Sequence, residues 1–230
     1  MAIDSAPRSR GPKAKRVDPE VILDAAQKIF ARDGLKGGSI RPIAVEAGCD
    51  PALIYYHFQS KEGLFQALLD RSIGPVVADL LALNSPKDSR SVAERLWMVT
   101  RIYNSHLAGN AGMRGLVRGE ILVGAEGIQE SIAQRILPAL GAIGSLIGLG
   151  IERGEIRGDT PPLFATFFLA RLELEILDLM PVLGPRIAGI PADLAVPMAE
   201  RAWFRLFCRG IATRPDEELP FLNQDLETGP

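Results

Sequence analysis

The chain has 230 residues, 47% of them hydrophobic, so it can bury a large core in one or two domains. Its formal net charge of −2 excludes a uniformly basic nucleic-acid binder. Its two cysteines, Cys49 and Cys208, fall in separate expected elements and read as reduced thiols of a cytosolic protein, which excludes a disulfide framework.

Charge is uneven along the chain. Residues 1–17 are rich in Pro, Ser, Arg and Lys and read as a disordered basic arm, with Arg8, Arg10, Lys13, Lys15 and Arg16 against Asp4 alone. Residues 1–71 hold 11 Lys and Arg against 9 Asp and Glu, a net of +2, which leaves −4 for the remainder. A basic arm on a more acidic body fits a protein that touches DNA at one end. The arm is either a solvated tail or a segment that contacts phosphates or the minor groove. Its polar, basic start holds no apolar segment of the signal-peptide kind.

A first helix is expected from Asp18 as N-cap, with Pro19 in its first position and Glu20 near the positive end of the dipole. Val21, Ala25 and Ile29, with Ile22, Ala26 and Phe30, form an apolar stripe at helical spacing, and Gly34 ends it. The stretch from Ser39 to Lys61 then reads as two short helices joined by a tight turn. Ser39 caps the first, whose apolar face is Ile43, Ala44 and Ala47. Gly48 stops it, because glycine accepts a left-handed conformation after a helix end. Asp50 caps the second helix and Pro51 suits its first position. Two short helices about a glycine turn form a helix-turn-helix, whose second helix enters the DNA major groove. Leu35, Ile40, Ile43, Ile54 and Phe58 complete its small core.

The run Ser39-Ile40-Arg41-Pro42-Ile43-Ala44, then Ala47-Gly48, Tyr55-Tyr56-His57-Phe58 and Ser60-Lys61-Glu62-Gly63-Leu64, resembles the DNA-binding domain of the TetR family of transcriptional regulators. Several fixed offsets agree at once, over roughly residues 15 to 70. The resemblance implies that Tyr55, His57 and Lys61 meet the phosphate backbone, contacts that set register and carry no sequence information. Ser39 and Tyr56 join them as DNA-binding candidates. Base reading is expected from Arg41 and from Ala52 and Leu53. These last two depart from the glycine and small hydroxyl residue common in the family, and suit contact with thymine methyls better than hydrogen-bonded readout. Cys49 stands where an aliphatic residue is common. It reads as packing, with a redox-active thiol near a helix start as the alternative.

Ser60 caps a longer helix carrying Leu64, Phe65, Leu68, Leu69, Ile73, Val76, Val77 and Leu80, in which Pro75 is a candidate bend. Further helices are expected over 89–108, 113–124, 127–154, 161–180 and 192–212, with breaks at Gly109–Gly112, Gly124–Gly127, Gly158–Pro162 and Pro181–Pro191. The uncharged run Ile136–Ile151 is short for a membrane span and reads as a buried helix. Pro138 should kink that helix. Gly141, Gly144 and Gly148 share one of its faces, which suits either the close approach of another helix or room for a ligand.

Candidate ligand-binding residues are Trp97, Met98, Tyr103, His106, Glu120, Gly144, Phe164, Phe168 and Arg171, aromatic and polar groups that could line a cavity for an apolar molecule. The same spacing also suits ordinary core, and Arg171 with Glu175 suits a simple ion pair. No metal cluster, phosphate loop or nucleophile elbow is legible, so no catalytic residue, metal or cofactor is expected. The expected fold is all-α, an N-terminal three-helix helix-turn-helix DNA-binding domain plus a larger C-terminal helical ligand-binding and dimerisation domain. The boundaries are 1–17 for the arm, 18–70 for the DNA-binding domain, 71–214 for the regulatory domain and 215–230 for a flexible tail. The expected function is transcriptional regulation: a cytoplasmic homodimer on a double-stranded, palindromic DNA operator, released by a small-molecule effector, with no membrane partner. The alternative is a helical ligand carrier or interaction module with a vestigial DNA-binding half. Segments 161–180 and 192–212 are the expected dimer helices, through residues such as Phe168 and Phe204.

Overall fold

The computed structural model describes residues 17–224, the last two of them by backbone only. The expected arm, Val17 apart, and residues 225–230 lie outside the described residues. Among the described residues ten helices follow one another: α1 Pro19–Gly37, α2 Ile40–Ala47, α3 Pro51–Phe58, α4 Lys61–Ala82, α5 Val92–Leu107, α6 Ala111–Val123, α7 Glu126–Glu152, α8 Pro162–Ile187, α9 Ala192–Ile211 and the short α10 Phe221–Gln224. Among the described residues there is no strand, only one isolated bridge between Ile156 and Ala212. The fold is all-α. It forms two compact units that divide between Leu68 and Leu69.

In the first unit, local chemistry sets each helix end. The Asp18 side chain accepts from Glu20 N at 3.0 Å at the start of α1. Gly34 breaks the regular helix with φ 71° and ψ 170°, a conformation open essentially to glycine, and one further turn reaches Gly37. Gly38 lies so close to Phe30 that a Cβ there would sit 2.6 Å from the ring. Ile22, Ala25, Ala26, Ile29 and Phe30 are buried, whereas Val21, expected in the same stripe, is 45% exposed. It sits at the edge of a stripe that the short α2 and α3 cannot fully cover. Ile43, Ala44, Ile54, Leu64, Phe65 and Leu68 complete the core, with Phe30 and Phe65 edge-to-face at 6.1 Å.

The second unit is a helical body around Val92, Leu96, Val99, Ile143, Leu146, Ile147, Leu169 and Phe204. α7 is long and apolar enough in length and composition to cross a membrane. Here it turns Ala139, Ala142, Ile143, Leu146 and Ile147 into this core. It continues through Pro138. Of its three-glycine face, only Gly144 approaches another helix, where an added Cβ would lie 3.3 Å from Thr166 Oγ1; nothing stands near Gly141 or Gly148. α8 does not break at Pro181 as expected but runs through Pro181 and Pro185 to Ile187. Proline removes a backbone donor and is costly inside a helix, but tertiary contacts hold this end. An added Cβ at Gly184 would meet the Ala195 Cβ of α9 at 2.6 Å, so α8 and α9 pack tightly there. Arg114 Nη2 also donates to the carbonyl of Leu177, four residues before Pro181, at 3.4 Å.

Candidate DNA interface and effector cavity

The turn between α2 and α3 forms as its residue types require. Gly48 is left-handed at φ 65° and its N–H returns to the end of α2. Ser39 occupies the N-cap position of α2 without a side-chain cap bond. The Asp50 carboxylate accepts from Ala52 N at 2.8 Å, and Pro51 opens α3. After α3 the chain reverses at Gln59, a non-glycine residue at φ 66°, with Ser60 N donating to Phe58 O at 2.7 Å. This γ-type turn is strained and tight. The Ser60 hydroxyl then accepts from Gly63 N at 2.9 Å and starts α4.

Of the DNA-binding candidates, Ser39, Arg41, Ala52, Tyr55, Tyr56 and His57 are exposed, and Leu53 and Lys61 are half-buried. Tyr56 and His57 stack edge-to-face at 5.1 Å. Lys61 Nζ donates to the carbonyl of Leu35 at 3.0 Å, which fixes the start of α4 to the last turn of α1. An ammonium has three donors, so two stay available to a phosphate. Partial burial, and then the neighbouring Asp50 carboxylate, push the Cys49 thiol pKa up. That is the opposite of an activated thiolate.

In the helical body, α4, α5, α6, α7 and α8 line a partly open cavity of about 150 Å³. Ile73, Val76, Val117, Ile136, Ala139 and Leu174 give it apolar walls, and Tyr103 and Arg171 are the ligand candidates that line it. Burial, and then the Glu173 charge, push the Tyr103 hydroxyl pKa far up, so it stays a neutral donor. The other candidates lie elsewhere. Trp97 is buried edge-to-face against Phe204 at 5.1 Å, with Met98 packed on the same core. His106 pairs with Asp79 at 2.7 Å. Glu120 is half-buried off the lining, and Gly144 faces Thr166. Phe164 and Phe168 are each 61% exposed on the outer face of α8.

The polar end of the cavity was not legible in the sequence. Arg114 Nε binds Asp178 at 2.6 Å; Arg118 binds Asp178 at 2.5 Å and Glu175 at 3.3 Å; Arg171 binds Glu175 at 2.5 Å. Three guanidinium groups thus face two carboxylates. The available signal was Arg114 and Arg118 four apart, beside the apolar Met113, Leu116, Val117 and Ile121 of one helix. A wider groove of about 820 Å³ lies by the start of α5 and the segment after α9. It is lined by charges of both signs, among them Glu94, Glu155, Arg205, Arg209, Asp216 and Glu217, and by none of the candidates. The smaller cavity, with apolar walls and a few converging polar groups, has the character of a ligand site.

Residues 22–68 match the family model of bacterial regulatory proteins of the tetR family. The fatty acid metabolism regulator protein of Bacillus subtilis is 25% identical over 145 residues, 63% of this chain and 74% of that protein. The HTH-type transcriptional repressor NicS of Pseudomonas putida is 40% identical over 65 residues, 27% of this chain and 31% of NicS. Among solved structures, the transcriptional regulator FadR from Bacillus subtilis in complex with stearoyl-CoA shares the fold. Its TM-score is 0.69 at 19% identity, covering 84% of this chain and 100% of FadR. Motif and family match agree that residues 22–68 form the DNA-binding domain of the tetR family of bacterial regulatory proteins, and the fold of the chain agrees with a DNA-binding transcriptional regulator.

Proposed function

We propose that the protein is a cytoplasmic, homodimeric repressor that binds a palindromic operator through α3 and leaves it when the body takes up an effector with an apolar chain and an anionic head. The observation that carries the effector class is the cavity. Its walls are apolar, and Arg114, Arg118, Arg171 and Asp178 line its polar end, with Glu175 paired to Arg118 and Arg171 beside it. Guanidinium forks suit carboxylate, phosphate or thioester-linked anionic head groups. The likeness to a fatty acid metabolism regulator and to FadR holding stearoyl-CoA points the same way. At about 150 Å³ the cavity must widen for such a molecule, since ligand sites typically exceed about 300 Å³.

Ser72, Ile73 and Val76 of α4 line the cavity, and α4 begins at Lys61 beside the recognition helix. A widened cavity would therefore act on the helix that carries the DNA-binding half. The reading makes the protein a regulator and not an enzyme. Dimerisation is supported by the outer faces of α8 and α9, where Leu163, Phe164, Phe167, Phe168, Leu194 and Leu206 are exposed. An apolar face of this kind needs a cover, and two copies of a two-helix face form a four-helix interface.

Fluorescence anisotropy with DNA from upstream of the protein's own gene, with and without stearoyl-CoA, tests the reading. Salt-dependent binding that the acyl-CoA weakens is expected. By linkage, operator DNA must weaken acyl-CoA binding by the same factor. Acyl-CoA binding without any DNA binding would favour the carrier reading instead.

A further inference from the structure

Two glutamates meet inside the helical body. Glu173 of α8 is fully buried and Glu200 of α9 is 1% exposed. Each is held by a neutral donor: Trp203 Nε1 reaches Glu173 Oε2 at 3.2 Å, and Asn104 Nδ2 of α5 reaches Glu200 Oε1 at 2.8 Å. Glu173 Oε1 is buried without an N–H or hydroxyl donor. The Glu200 carboxyl interacts with Glu173, and a hydrogen bond between the two would satisfy that oxygen. Two carboxyl groups can make that bond only when a proton lies between them.

The surroundings decide which glutamate keeps the proton. Burial, followed by the charge of Glu200, raises the pKa of Glu173. Burial raises Glu200 too, but hydrogen bonds from Glu173 and Asn104 and the charges of Arg101 and Arg201 pull it back. Tyr103 also faces the pair, where burial, and then Glu173 when it ionises, raise its hydroxyl pKa. The pair therefore shares one proton, and Glu173, the more deeply buried of the two, holds it more strongly.

We propose that Glu173 and Glu200 form a one-proton latch that clasps α8 to α9 and, through Asn104, to α5, and that loss of the proton loosens this contact. The latch stands whether or not the nearby cavity takes an effector. It does, however, touch both functional parts of the body. Tyr103 and Leu174, beside it in space or sequence, line the cavity, and α8 and α9 carry the exposed apolar face.

The sign of the linkage follows. An acid with a raised folded-state pKa takes up a proton on folding. The stability it contributes is full below the ordinary carboxylate value of 4.5 and is lost as pH rises towards about 9. Over that window the folding equilibrium constant falls about tenfold per pH unit from this group.

Urea unfolding of the full-length protein between about pH 6 and 8.5, wild type against Glu173→Gln, reads the latch directly. The amide keeps the bonds to Glu200 and Trp203 but cannot ionise. The folding constant of the wild type should fall about tenfold per pH unit more steeply than that of the variant, and equal slopes would overturn the proposal. The infrared spectrum of the wild type at neutral pH supplies a second reading that does not need the variant. It should contain the carbonyl band of a buried protonated carboxyl group, and its absence would overturn the proposal as well.

Discussion

Lys61 Nζ donates to the main-chain carbonyl of Leu35 at 3.0 Å, tying the first residue of α4 to the last turn of α1. The same side chain is a candidate phosphate contact, so one ammonium would both hold the DNA-binding unit together and meet the DNA. Lys61→Ala should weaken binding to all DNA sequences alike and flatten the salt dependence by about one counterion. It should also cost about 1 kcal/mol of stability through the lost bond. Anisotropy titrations at several salt concentrations, with a parallel unfolding curve, measure both. Loss of one operator sequence with others retained would rule out a phosphate role.

Leu53 should behave differently. It stands half-buried in the third position of α3, among the residues expected to meet base edges. Leu53→Ala should change the preferred sequence in a selection from randomised sites, while affinity for nonspecific DNA stays the same. An unchanged preference would remove Leu53 from the reading surface.

Gly34 sits at φ 71° and ψ 170°, where a Cβ is not tolerated. Gly34→Ala should destabilise the protein by about 1–3 kcal/mol. Chemical denaturation followed by circular dichroism gives the value, and a neutral result would mean that the backbone can relax at this position.

Phe168 and Phe204 separate association from folding. Phe168 is 61% exposed and Phe204 fully buried, although both were expected at the dimer helices. Phe168→Asp should give a folded monomer that no longer binds the operator. Phe204→Asp should unfold the body, because a carboxylate replaces a ring packed on Trp97, Trp203, Phe207 and Phe221. Sedimentation velocity at micromolar concentration tells the two outcomes apart. A wild type that is monomeric there would end the dimer reading.

Ala139 lines the cavity and is buried, whereas Gly144 faces Thr166 outside it. Ala139→Leu should fill the cavity, abolish the response to acyl-CoA and leave operator binding within about threefold of wild type, allowing about 1 kcal/mol for overpacking. A full response in this variant would move the effector site elsewhere.

What the sequence by itself determined is what short-range chemistry decides. Gly48, Asp50 and Pro51 fold the α2–α3 turn through contacts within a few residues, so their residue types fix the outcome. Asp18 and Ser60 cap their helices for the same reason. The motif from Ser39 to Lys61 was therefore readable, and with it the family. Tertiary structure decided everything that depends on which helix face meets which. α8 passes two prolines because its far end is held against α9 at Gly184 and Ala195. Arg114 and Arg118 reach Asp178 only because α6 and α8 meet across the cavity that both line, some 60 residues apart in sequence. Glu173 and Glu200 look like solvated helix charges in the sequence. They become a buried pair because α8 turns Ala165, Leu169, Glu173, Ile176 and Leu177 inward as one stripe, and packing one stripe against another brings together charges that no local rule relates.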